Sequence, residues 1–344
     1  MRVLVTGHSG FKGSWLVVML RALGHEVFGV SKSGNESSYY GPGKFTSLVS
    51  REVTIDIAEG ELFSRFLNEV RPDCVVHLAA EALVLRAQQH PVSALASNVL
   101  ATAKVLQALA ELDYQPIVLV ATTDKVYKES GVPNYQNVEG DALMGSEVYS
   151  HSKVAADVMV QAYMQSLNSS NWAIARAGNV VGGGDLSPNR LLPDLSRSYF
   201  QQIEPLVIRN PDAVRPWQHV LDCLWGYVTL VNHLGQNPGS GAWNFGPDAD
   251  DIASVGEVVR IAGEILPNLK VEFHSLSTSI HHEAKFLSLD SSLARKTLGW
   301  KPRYSLRESV QKTIDWEECV ATGEDPLSAT QRQVDSFLAT TAHR

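Results

Sequence analysis

Tyr149 and Lys153, in Tyr149-Ser150-His151-Ser152-Lys153, are four residues apart. On a helix that spacing puts a phenol and an ammonium on one face, one turn apart. A free tyrosine titrates near ~10, so ionising it at neutral pH takes about 4 kcal/mol of differential stabilisation. A lysine cation and a positively charged nicotinamide ring can share that task. The phenolate then takes a proton from a sugar or alcohol hydroxyl while hydride leaves for the cofactor. Taken alone, Tyr-x-x-x-Lys also describes an ordinary amphipathic helix surface, so its weight depends on the rest of the chain. Thr122-Thr123, at the end of a β-branched run upstream, is one supporting feature.

The other lies at the start of the chain. Gly7-His8-Ser9-Gly10-Phe11-Lys12-Gly13 follows the first β-branched run and opens an apolar helical stretch. Glycines at that spacing let the backbone turn sharply and approach a pyrophosphate, while the helix's unpaired amides and dipole favour its negative charge. A dinucleotide is the natural guest. The second β-branched run ends Gly29-Val30-Ser31-Lys32, without the acidic residue that hydrogen-bonds a ribose diol, which leaves NAD and NADP both open. Lys32 reads either as a partner for a 2′-phosphate or as a solvated lysine. Asp56, in Thr54-Ile55-Asp56-Ile57, is placed to meet an adenine edge or to cap a helix.

These groups need a scaffold, and the alternation of the first half supplies it. Residues 3–5, 26–30, 74–78, 117–121 and 172–176 read as strands; 11–23, 59–70, 92–112 and 146–167 have helical length and spacing. Strand-helix alternation predicts parallel βαβ units with helices on both faces of a sheet. The polar segment 128–145 reads as an ordered loop over a site or a mobile lid. Beyond Gly178 the alternation decays, with helices expected at 191–200, 256–265 and 306–316, and with 217–245 returning to the sheet.

The chain has 344 residues, of which 44% are hydrophobic and 19% charged, so it folds on its own without disulfide or metal staples. With 29 Lys and Arg against 37 Asp and Glu its net charge is −8, which excludes a general polyanion-coating protein and argues against a nucleic-acid partner. The cysteines Cys74, Cys223 and Cys319 are too scattered for a zinc site, no metal is expected, and they read as reduced thiols. The N-terminus shows no leader pattern and no apolar run reaches about 18 residues, so a cytoplasmic protein off the membrane is expected.

In order, Gly7-x-x-Gly10-x-x-Gly13, His77-Leu78-Ala79-Ala80, Asn98, Thr122-Thr123, Tyr149-x-x-x-Lys153 and Arg176-x-Gly178-Asn179 resemble the marks of the extended short-chain dehydrogenase/reductases that act on nucleotide sugars. The resemblance spans nearly the whole chain. Four stretches, at 7–15, 123–127, 178–185 and 209–220, resemble the CDP-glucose 4,6-dehydratase branch. It implies an α/β fold: a Rossmann doubly wound parallel sheet over 1–178 with the return near 217–245, and a smaller, partly discontinuous C-terminal domain over 179–344 for the nucleotide sugar. It implies NAD, held by Gly7, Gly10, Phe11, Lys12, Gly13, Ser31, Asp56, Ile57, Leu78, Ala79, Ala80, Asn98, Tyr149 and Lys153.

The same resemblance assigns Thr123 and Tyr149 to the C4 hydroxyl and Lys153 to the nicotinamide ribose and the Tyr149 pKa. Asp124 becomes the acid, and Lys125 the base, of a water elimination that yields a 4-keto-6-deoxy sugar; the alternative for the pair is a solvated turn. Arg215 is the expected diphosphate ligand, Arg190 and Arg209 are weaker candidates, Asn179 is a polar contact, and Arg86 meets sugar or phosphate. A CDP-hexose substrate and a homodimer formed through a helix bundle follow from it. Glu81-Ala82-Leu83-Val84-Leu85-Arg86 lacks the branch's second arginine, and Val126 and Lys128-Glu129-Ser130 also depart from its pattern beside the expected sugar position. These departures keep a related 4-epimerase or reductase open, as well as a non-catalytic dinucleotide sensor.

Overall fold

In the computed structural model, which describes residues 1–32, 38–41, 44–167, 169, 171–202, 205–208, 210–273 and 286–340, the β-branched runs become a parallel sheet. The chain begins β1 (Arg2–Thr6), α1 (Phe11–Ala22), β2 (Glu26–Ser31), β3 (Arg51–Thr54), α2 (Leu62–Val70), β4 (Cys74–His77) and α3 (Val84–Gln89). Next come α4 (Pro91–Leu95), a π-helical turn (Ala96–Leu100) and α5 (Ala101–Ala110) in one continuous run, then β5 (Ile117–Thr123), α6 (Val148–Ser166) and β6 (Trp172–Ala177). The remainder is β7 (Asn179–Val181), α7 (Leu191–Phe200), β8 (Leu206–Ile208), β9 (Val214–His219), α8 (Val220–Gln236), β10 (Gly241–Phe245), β11 (Ile252–Ser254), α9 (Val255–Ile265), β12 (Val271–Phe273), α10 (Ser292–Leu298), α11 (Leu306–Ala321) and α12 (Pro326–Ala339).

Seven strands pair in the order β10-β6-β5-β4-β1-β2-β3, every pair parallel. Strand order reverses between β1 and β4, the switch point beyond whose carboxyl ends open α/β sheets bind ligands. β4 is buried at every residue, the pattern of a strand covered on both faces. One face packs on α1, α8 and α12 through Trp15, Leu16, Leu224 and Phe337; the other packs on α2, α5 and α6 through Phe63, Leu67, Leu106 and Val160. Of the 217–245 range expected to return to the sheet only β10 does so, pairing with β6, while most of it forms the buried helix α8, which the sequence pattern does not predict.

A third core, with Leu192, Trp217, Val258 and Ile314, joins α7, α9 and α11 to two small sheets, β11-β9-β7 and β12-β8. These short strands, with α3, α10 and α12, go beyond what the sequence pattern predicts. The run 91–110 is long and apolar enough by length and composition to cross a membrane. Sequence reading found no such run because Ser93, Ser97, Asn98, Thr102 and Lys104 interrupt it; here it packs against α2 and α6.

Segment 128–145 is an ordered loop. Lys128 N donates to Ala142 O (2.8 Å) and Met144 N to Val126 O (2.8 Å). Arg176 Nη1 donates to Glu139 O (2.9 Å), and Asn244 N to the Glu139 carboxylate (2.9 Å).

Candidate active site

A cleft of about 1400 Å³ runs over the carboxyl ends of β1, β4 and β5 into the C-terminal part. A site for one small molecule has ~300–1,000 Å³, so there is room for two ligands. The first glycine loop forms one end. Gly7 has φ +72°, and a Cβ there would sit 2.8 Å from Ala79 N. A Cβ on Gly13 would sit 2.1 Å from Gly7 O. Both positions therefore require glycine. Gly10 caps α1 without a side-chain bond, and Phe11, Lys12 and Gly13, whose amides begin the helix, line the cleft. Unpaired first-turn amides beside a close-approaching backbone suit a pyrophosphate, so these residues fit a dinucleotide.

Ser31, Lys32, Asp56, Ile57, Leu78 and Ala79 continue the wall, followed by Ala80. Lys32 Nζ meets Asp56 Oδ2 at 2.5 Å, and Ala58 N donates to Asp56 Oδ1 at 3.0 Å. The hydrogen bond from Lys32 is the main reason that the Asp56 carboxyl lies below its usual range. Because α2 starts only at Leu62, Asp56 is not its cap. Asn98 lies behind this wall: its carboxamide oxygen accepts from Glu81 N (2.7 Å), and its nitrogen donates to Glu81 O (3.1 Å) and Ser152 Oγ (2.8 Å). It ties the Glu81 loop to the helix of Tyr149.

That helix, α6, begins with a capping box. Glu147 accepts from Tyr149 N (2.6 Å) and Ser150 N (2.9 Å), while Glu147 N donates to Ser150 Oγ (3.0 Å). Tyr149 is thereby fixed at the mouth of the cleft. Its partial burial pushes the phenol up to about 12, against Thr123 and the positive charge of Arg190; Lys153, which the resemblance assigns to lowering this pKa, is not among the groups that act most on it. Lys153, one turn on and buried, donates from Nζ to Ala121 O at 2.9 Å. Burial brings its ammonium down to about 8; the Lys12 cation acts in the same direction and Asp157 in the opposite one.

At the end of β5, Thr123 Oγ1 donates to Asp124 Oδ1 at 2.9 Å. Asp124 is buried, its Oδ2 has no hydrogen-bond partner among the described residues, and burial raises its pKa against the pull of Lys125. A carboxyl in that setting favours its protonated form. Lys125 is half-buried on the cleft wall beside it. Val126 instead enters a small core with Tyr127 and Leu289, so this departure from the branch pattern does not reach the cleft; Glu129 does.

Toward the C-terminal part, Asn179, Arg190 and Arg215 line the cleft. Arg215 is buried on β9 and donates from Nη1 to Val214 O (2.8 Å). Arg190 stands 3.5 Å from Asp185 and Arg86, exposed at the rim, 3.2 Å from Glu81. Arg209 lies outside the described residues. Sequence reading did not single out Glu147, Glu81 or Asp157. The Glu147–Ser150 pair is a reciprocal cap in reversed residue types, and Asp157 extends the Tyr149-Lys153 spacing by a further turn.

A family model described as the NAD dependent epimerase/dehydratase family matches residues 3–246. The chain is 34% identical over 357 residues to the CDP-glucose 4,6-dehydratase of Salmonella typhimurium, covering 99% of this chain and 97% of that one. It is 24% identical to dTDP-glucose 4,6-dehydratase 1 of Escherichia coli, over 92% of each chain. Among solved structures, a UDP-glucose-4-epimerase from Stenotrophomonas maltophila with bound NAD and formylated UDP-arabinopyranose superposes with a TM-score of 0.83 at 23% identity, over 94% of this chain and 100% of that one. The dTDP-glucose 4,6-dehydratase of Bacillus anthracis in complex with NAD gives 0.79 at 21%, over 95% and 99%.

Proposed function

The chain belongs to the NAD dependent epimerase/dehydratase family, and within it we propose a 4,6-dehydratase of a nucleotide-activated hexose, with CDP-glucose as substrate. The observation that carries this reading is the buried Asp124 carboxyl, kept toward its protonated form beside Lys125 and one hydroxyl away from Tyr149. A 4-epimerase needs only a base for the C4 hydroxyl; an acid and a second base next to it are what expulsion of water requires.

NAD, held at the glycine loop, Ser31, Asp56, Ile57 and 78–80, supplies the acceptor and later the donor of a hydride. The chain's own groups handle the protons. Tyr149 takes the C4 hydroxyl proton, with Thr123 orienting both phenol and sugar. Lys153, mostly an ammonium at neutral pH, favours the phenolate. Once C4 is a ketone the C5 proton is acidic. Lys125 takes it in its neutral amine form, becoming an ammonium, and Asp124 gives its proton to the C6 oxygen, which leaves as water. Arg215 and Arg190 bind the diphosphate as guanidinium forks suited to phosphate oxygens, with Asn179 and the rim residue Arg86 as further polar contacts.

On this reading residues 1–178 with β10 hold the cofactor and 179–344 mainly the nucleotide sugar. The protein works as a cytoplasmic homodimer through 91–110 and α6, which leave Val92 79%, Leu95 46% and Val158 50% exposed. Incubation with CDP-glucose tests the activity. A 4-keto-6-deoxy product lighter by one water is expected; stereoisomers of unchanged mass would establish an epimerase instead. UDP- and dTDP-glucose in parallel test the choice of base.

A further inference from the structure

Helix α6 meets strand β5 through three rungs. Tyr149 stands beside Thr123, Lys153 Nζ donates to Ala121 O at 2.9 Å, and Asp157 Oδ2 accepts from Thr122 Oγ1 at 3.0 Å. Residues 149, 153 and 157 share one helix face, and 121–123 are consecutive, so the last strand turn is stapled to two helical turns. The reading above uses the first two rungs and leaves the third without a task.

Asp157 is fully buried and takes four hydrogen bonds. Besides Thr122, Gln161 Nε2 donates to Oδ1 (2.7 Å), Arg176 Nη2 to Oδ1 (2.7 Å) and Arg176 Nε to Oδ2 (2.9 Å). Arg176 stands on β6 directly beside Thr122 in register. Its remaining Nη1 reaches Tyr127 OH (2.9 Å) and Glu139 O (2.9 Å) and so grips the loop at the cleft edge. A carboxylate gripped by a forked guanidinium and two further donors is held in one orientation. The fixed negative charge lies one helical turn beyond Lys153.

We propose that Asp157 is a positioning residue of the proton-transfer centre: held by Arg176 and Thr122, its carboxylate is the counter-charge that keeps Lys153 an ammonium docked on the Ala121 carbonyl. The inference rests on Lys153 acting with Tyr149. The groups around Lys153 act on its charge in different directions. Lys12, from α1, repels it. His77, from β4, is neutral at physiological pH, its pKa lowered to about 3 by burial and by Lys153 itself, and it is occupied by Thr6 (2.6 Å) and Thr102 (3.1 Å). Asp124 faces Tyr149. Among these groups Asp157 alone favours the charged lysine.

The test is D157N, in which the side chain keeps its size and loses its charge. The Lys153 titration is followed by carbon NMR of lysine-labelled protein, assigned with K153R, with no cofactor or substrate required. Wild type is expected to titrate near about 8. D157N is expected lower by about 1 pH unit, the direction set by removing an opposite charge one helical turn away. The alkaline limb of the pH profile for C4 oxidation should move down with it. An unmoved Lys153 midpoint in folded D157N overturns the inference. If D157N does not fold because Arg176 is left unpaired, D157L with R176M removes the buried pair together: a downward shift of the Lys153 midpoint supports the inference and an unmoved midpoint overturns it. Wild type that forms no keto product from any nucleotide hexose defeats the catalytic reading instead, and leaves the lysine titration to stand or fall separately.

Discussion

Replacing Asp124 by Asn separates the chemistry from the fold. The carboxyl is buried at 2% exposure and accepts from Thr123 Oγ1 at 2.9 Å, while Oδ2 has no partner among the described residues. Asn fills the same space and its oxygen still accepts from Thr123. What it lacks is the proton for the leaving C6 oxygen. General acid catalysis contributes about 10²–10⁴-fold, or about 3–5 kcal/mol of barrier, so water loss should slow by that factor while C4 oxidation persists. A single-turnover assay should show reduced cofactor accumulating at 340 nm, with the 4-keto-6-deoxy product delayed. The variant also carries a stability signature. Burial raises the carboxyl's folded-state pKa above its unfolded value. The folded protein therefore binds that proton more tightly, and the resulting stabilisation, present at low pH, is lost as pH rises through the folded value. D124N has no such loss, so it should melt above wild type at neutral pH, with the gap closing as pH falls toward about 4. Water loss within threefold of wild type, in D124N that binds NAD, would refute the assignment of Asp124 as the acid.

Three further outcomes are expected. G13A places a Cβ 2.1 Å from Gly7 O and 2.7 Å from His8 Cα, so the loop must open, and calorimetry should show NAD affinity falling at least about tenfold, ~1.4 kcal/mol; a change under twofold would contradict the cradle. Y149F should bind NAD within a few-fold of wild type and lose about 10²–10⁴ in turnover, with no reduced cofactor formed on adding substrate. V92E with V158E, on the exposed faces of 91–110 and α6, should take the solution mass from a dimer to the 37.6 kDa monomer, and a wild type already at 37.6 kDa would remove the dimer.

Much of this was legible in the chain because the sheet strands are short, apolar runs punctuated by glycine. The 3–5, 26–30 and 172–176 runs fall within β1, β2 and β6, and Gly7 to Gly13 forms the expected loop. Tyr149 and Lys153 do share a helix face at the cleft. Residues 206–208, 252–254 and 271–273 form three-residue strands that exist only by pairing with distant segments, so no local periodicity announces them. The roles of polar residues were hardest to see. Asn98, which the resemblance assigns to the cofactor, bonds Glu81 and Ser152 behind the cleft wall. Lys32 is exposed, as its solvated reading expects, and it also meets Asp56, 24 residues on, in an ion pair. In each case the deciding contact comes from an element remote in sequence.

The central claim is that one cleft oxidises C4, expels water and reduces C6 of the same sugar. Incubating the wild-type protein with CDP-glucose deuterated at C4 and analysing the product by mass spectrometry and NMR tests it directly. The account predicts a 4-keto-6-deoxy sugar, lighter by one water, with the deuterium carried to C6. Recovery of hexose with deuterium still at C4 and no loss of mass would contradict it.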